Sequence, residues 1–125
     1  MYFRFLIALS VFIVQSLALS GKLAWAHAYP MSSSPENSAV LKESPREIRI
    51  QFTEGVELAF SQIIVKGPTG EVVSQGKIRQ AAQDTLAVDL KPLSPGNYSV
   101  EWQALSVDTH VTEGVLRFTV AQKGK

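Results

Sequence analysis

From Pro35 onward, apolar and polar residues alternate in short runs, and each run stops at a cluster of turn-forming residues. Successive side chains of a strand point to opposite faces, so this pattern calls for half-buried strands rather than packed helices. Ile48, Ile50 and Phe52 alternate with Glu47, Arg49 and Gln51, and Leu86, Val88 and Leu90 with Ala87 and Asp89. Tyr98, Val100 and Trp102 oppose Ser99, Glu101 and Gln103, while Leu116, Phe118 and Val120 oppose Arg117 and Thr119. The apolar run Gln62–Lys66 is closed by Gly67-Pro68-Thr69-Gly70, a strong turn signal, with Glu71–Gln75 expected as its hairpin partner. Ser32–Ser38 reads as a polar loop and Gln122–Lys125 as a fraying tail. Adding one strand near the start gives seven. The expectation is an all-β, seven-stranded immunoglobulin-like β-sandwich of about 100 residues, with Tyr98, Trp102 and Phe118 as its large core fillers.

Cysteine is absent, which excludes disulfides, thiolate metal sites and cysteine nucleophiles together. So small a domain must then depend on a well-packed core. The 12 basic and 11 acidic side chains leave a formal charge of +1, with no basic stripe for a phosphate backbone, so nucleic acid is not an expected partner. The 125 residues hold two histidines, His27 and His110.

Residues 1–26 read as a cleavable secretory signal. Arg4 gives the positive start, Phe5–Ser20 the apolar stretch and Ala24-Trp25-Ala26 a small-x-small cut site. A membrane-spanning helix, which needs about 20 predominantly apolar residues, fits less well. Residues 27–125 then form one exported domain that is not embedded in a membrane. Ala26-His27-Ala28 offers a second register, with the cut before Tyr29. One register makes His27 the N-terminal residue and the other discards it.

Asp108-Thr109-His110 follows the Tyr98–Gln103 strand. If the backbone stays extended there, Asp108 and His110 share a face and present a carboxylate and an imidazole together. Such a pair is also common as a plain surface hydrogen bond. His27, once N-terminal, would add a free α-amine and its own Nδ1, which close a six-membered chelate ring on one metal ion. The amine has a reference pKa of about 7.7–8.0, so a strongly bound divalent ion displaces its proton near neutrality. Three nitrogens and one oxygen suit a tetragonal Cu(II) ion, with zinc as the main competitor. Sulfur ligands for Cu(I) are scarce, since Met31 is the one methionine beyond the signal.

The segment Leu93-Ser-Pro-Gly96-Asn-Tyr98-Ser-Val-Glu-Trp102-Gln-Ala-Leu-Ser106-Val-Asp108-Thr-His110, followed by Gly114 and Phe118, resembles the CopC family of periplasmic copper-binding, copper-resistance proteins. Upstream, the likeness continues in Ser34-Pro35, Pro45 and Phe52-Thr53-Glu54, and it begins with a His directly after the signal. The resemblance implies a Greek-key β-sandwich or barrel that binds one Cu(II) through an N-terminal amine and imidazole, an Asp and a second His. In this chain those are His27, Asp108 and His110, which selects the cut after Ala26. Glu54 matches an acidic residue that the family places near the metal; the other reading is a solvent-facing Glu at a strand end. Two departures stand out. No Met/His-rich loop for Cu(I) occurs between Val65 and Gln83, and Val111 replaces the proline that often follows the His.

The resemblance implies a periplasmic copper carrier or buffer, not an enzyme, that hands its ion to a CopD-type membrane transporter. Two other classes compete. A copper oxidase or monooxygenase would use the same chelate with an open coordination position, and a metal-free sandwich would serve adhesion or assembly.

Overall fold

The computed structural model describes residues 27–124. The expected signal, residues 1–26, lies outside them, whereas the alternative cut after Ala28 falls within them. Among the described residues, eight strands form two sheets: β1 (Pro30–Ser34), β2 (Ala39–Leu41), β3 (Glu47–Phe52), β4 (Gln62–Lys66), β5 (Ser74–Ala82), β6 (Thr85–Leu90), β7 (Gly96–Leu105) and β8 (Val111–Val120). One sheet has the order β1-β3-β6-β5 and the other β2-β8-β7-β4. The sandwich architecture is therefore as expected, with eight strands in place of seven.

The core follows from the alternation. Ile48, Ile50 and Phe52 of β3 face Tyr98, Val100 and Trp102 of β7, with Phe118 and Val120 of β8 beside them, and all are buried. Phe52 crosses between sheets to meet Trp102 edge-to-face, ring centroids 5.6 Å apart, while Tyr98 stacks on Phe118 at 5.3 Å. Offset and edge contacts of this kind are the favoured aromatic geometries. The three expected aromatic fillers are all in the core.

Three local expectations fail. Ser32–Ser34 is not loop but part of β1, which pairs antiparallel with β3 at the sheet edge. An edge strand that buries little need not carry an apolar pattern, so serines conceal it. Glu71–Gln75 does not continue a hairpin with β4. After the turn only Lys66 and Val72 bridge. Val73 then enters the core, Ser74 Oγ accepts the Val65 N–H at 3.1 Å, and the chain passes into the other sheet as β5, beside β6. Finally, Ala87 is fully buried although the alternation turns it outward with Asp89. Its register neighbours are Arg49 and Arg79. Those arginines pair with Glu47 and Asp89 in a network on the outer face of the sheet, and their side chains cover the Ala87 methyl.

At one end of the sandwich, the Ser106–His110 turn joins β7 to β8, and the chain leaving β3 runs alongside it. Val56 bridges Ser106, Val107 N–H donates to the Gly55 carbonyl at 3.1 Å, and Glu57 N–H to that of Leu105 at 2.8 Å. The start of β1 reaches the same end, since Pro30 is opposite Phe52.

Candidate metal centre

The Asp-x-His pair sits in this turn and not on an extended strand. Thr109, between the two, has φ of 74°, a left-handed conformation uncommon for a β-branched residue. The same-face argument from strand spacing is thus overturned, yet the turn achieves the juxtaposition by another route. Thr109 N–H donates to the Ser106 carbonyl and Ser106 N–H to the His110 carbonyl, both at 2.9 Å. The fully buried Ser106 hydroxyl donates to Asp108 Oδ1 and accepts the His110 N–H at 3.2 Å. His110 Nδ1 lies 3.3 Å from Asp108 Oδ1. With Nδ1 directed at a carboxylate, the neutral ring leaves Nε2 as its lone-pair nitrogen. The Ser106 hydroxyl, followed by His110, holds the Asp108 carboxyl below the ordinary carboxylate range against the opposing effect of desolvation. Asp108 is therefore an anion at neutral pH.

His27 arrives from the other side. Its ring stands edge-on to that of His110 with centroids 4.7 Å apart, and Tyr29 flanks it at 6.3 Å. Three buried side-chain polar atoms among the described residues lack a hydrogen-bond partner: His27 Nδ1, Glu54 Oε1 and Asp108 Oδ2. Buried polar atoms are rarely left unpaired, and each such exception calls for an explanation. All three belong to residues singled out by the sequence. As the side chains stand, no three His, Cys, Asp or Glu among the described residues are gathered into a metal-holding group. Were His27 the first residue of the chain, its α-amine would add a main-chain donor to these side chains. The donor chemistry, two imidazoles and a carboxylate with His27 Nδ1 and Asp108 Oδ2 unpaired, fits a borderline-soft divalent ion.

Electrostatics favour the same occupant. The segments 27–34, 50–62 and 102–116 that build this end carry Glu54, Glu57, Asp108 and Glu113, and neither lysine nor arginine. Ser106 was visible in the sequence only as part of the family-like block. Its role as the tie of the turn depends on burial and backbone bonds that no spacing reveals. Thr53 and Thr112, which bond the main chain around His27, were not recognised as site residues.

A small two-sheet sandwich with a histidine-bearing N-terminal segment laid against an Asp-x-His turn is the class of protein defined by this arrangement. The CopC domain family model matches residues 30–121. The chain belongs to the CopC family. It is 37% identical over 99 residues to protein YobA of Escherichia coli strain K12, covering 77% of this chain and 80% of that protein. The crystal structure of CopC from Methylosinus trichosporium OB3b superposes with a TM-score of 0.70 at 30% identity, over 79% of this chain and 98% of that one. That of PcoC, a methionine-rich copper resistance protein from Escherichia coli, does so with 0.66 at 29%, over 76% and 99%.

Proposed function

We propose that this chain is a copper-binding protein of the periplasm that takes up one Cu(II) and carries or buffers it. The ion is its cargo, held by the α-amine and Nδ1 of His27, by Asp108 and by His110, with Glu54 beside the site. The observation that carries this reading is the set of unpaired buried atoms, His27 Nδ1 and Asp108 Oδ2 next to the His110 ring. Family membership and the copper resistance named for PcoC agree with it. Retention of His27 also agrees with the packing, because the next residue, Ala28, is fully buried in the core. A cut after Ala28 would remove a core side chain. Four donors fill the equatorial plane of a tetragonal ion, which favours binding and release over oxygen chemistry. His110 is half exposed at the rim, giving an acceptor access to the ion. Delivery to a CopD-type membrane transporter is the onward step we propose.

Calorimetric Cu(II) titration of the exported protein tests the reading against a metal-free interaction module. The wild type should bind one equivalent, and an Asp108→Ala, His110→Ala double variant should bind far more weakly while melting at a similar temperature. Indistinguishable binding of the two proteins would refute the site.

A further inference from the structure

The backbone of His27 and Ala28 precedes β1 and has no ladder partner among the described residues. Two threonine hydroxyls hold it instead. Thr112 Oγ1 donates to the Ala28 carbonyl at 2.5 Å, and both residues are buried. Thr53 Oγ1 donates to the His27 carbonyl at 3.2 Å and accepts the Tyr29 N–H at 3.1 Å, while Thr53 N–H donates to the Tyr29 carbonyl at 2.8 Å. A hydroxyl offers one donor and two acceptor positions, so Thr53 works in both directions. Thr112 is also out of place by its own strand's pattern. The inward positions of β8 are Thr112, Gly114, Leu116, Phe118 and Val120, and Thr112 alone among them has a polar side chain. An apolar residue there would leave the Ala28 carbonyl buried without this partner, which is a costly arrangement.

We propose that Thr112, assisted by Thr53, is a positioning residue for copper binding. The pair clamps the main chain of the first residues so that the amine and imidazole of His27 face Asp108 and His110. The inference rests on the copper reading above. A chain terminus frays unless something ties it down, and ordering a frayed terminus opposes ligand binding. The clamp removes that opposition before the ion arrives. Neither threonine needs to touch the metal.

The test uses the exported protein, its start at His27 verified by intact mass, with Thr112→Val and Thr112→Ser variants. Valine keeps the shape and the strand preference of threonine, so the sandwich should form, and a melt of each metal-free protein checks this. In Thr112→Val, Cu(II) affinity measured by chelator competition should fall about tenfold, the scale of one buried hydrogen bond. The Tyr29 amide of the metal-free protein should exchange with solvent faster by a similar factor. Thr112→Ser, which restores the hydroxyl, should return both quantities toward wild type. A lower melting temperature with unchanged copper affinity would make Thr112 merely structural and overturn the proposal. If the wild type itself failed to bind copper, the copper reading would fall. The clamp would still be judged on the Tyr29 amide, and unchanged exchange in Thr112→Val would overturn it independently.

Discussion

The imidazoles of His27 and His110 meet edge to face, 4.7 Å between centroids, although one lies ahead of the first strand and the other in the β7–β8 turn. This contact sets His27 beside the Asp-x-His pair, and in the proposed site, where His27 is the first residue, binding depends on where the chain begins. A protein carrying one extra residue ahead of His27 keeps both rings but loses the amine–imidazole chelate. Its Cu(II) affinity should fall by orders of magnitude in a chelator competition, with an unchanged melting temperature for the metal-free form. Equal affinity with and without the extension would remove the N-terminus from the site.

Trp102 reports on the same end of the sandwich, and it is the one tryptophan among residues 27–125. It packs on Phe52, whose strand leads into Thr53 and Glu54, and it is paired in register with Gly114. One equivalent of Cu(II) should quench its emission, and excess chelator should restore it. Unchanged emission would argue that the ion sits elsewhere. The glycine opposite is required by the indole, since a Cβ at position 114 would lie 2.8 Å from Trp102 Cζ2. Gly114→Ala should destabilise the fold by about 1–3 kcal/mol, the usual range for overpacking. A denaturant melt measures it.

Tyr98 gives a prediction independent of metal. Its hydroxyl donates to the Ser94 carbonyl at 2.5 Å, four residues upstream, and pins the chain entering β7. Tyr98→Phe keeps the stack on Phe118 and loses this bond, for an expected cost of about 1 kcal/mol. Burial, reinforced by the negative charge of Glu71, raises the phenol's pKa above its ordinary value. The folded protein thus holds this proton to higher pH than the unfolded chain. That contribution is complete below the unfolded pKa of about 10 and is lost as pH rises through the folded one. Stability measured across the alkaline range should therefore decline less steeply in Tyr98→Phe than in wild type. Parallel profiles would contradict the assignment.

The residues that announced the fold are those whose surroundings are two-sided. β3, β7 and β8 each bury one face, so Ile48, Ile50, Tyr98, Trp102 and Phe118 carry the period openly. β1 buries too little to show it, and β6 is buried on both faces from Thr85 to Val88, so Ser33 and Ala87 misled the alternation. The crossing after Gly70 was hidden because Val73 and Ser74 act through the core and through Val65, neither of which is local. At the candidate site, the chemical types of His27, Asp108 and His110 were legible and the backbone that unites Asp108 with His110 was not. A left-handed Thr109 is not written in any alternation, and the turn it makes depends on the buried Ser106.

The central claim is one Cu(II) held by His27, Asp108 and His110, and an EPR-monitored copper titration of the exported protein addresses it most directly, after an intact mass has fixed the N-terminus. The account predicts a single tetragonal copper species with nitrogen couplings that saturates at one equivalent. Weak, heterogeneous signals from a chain that does begin at His27 would contradict it.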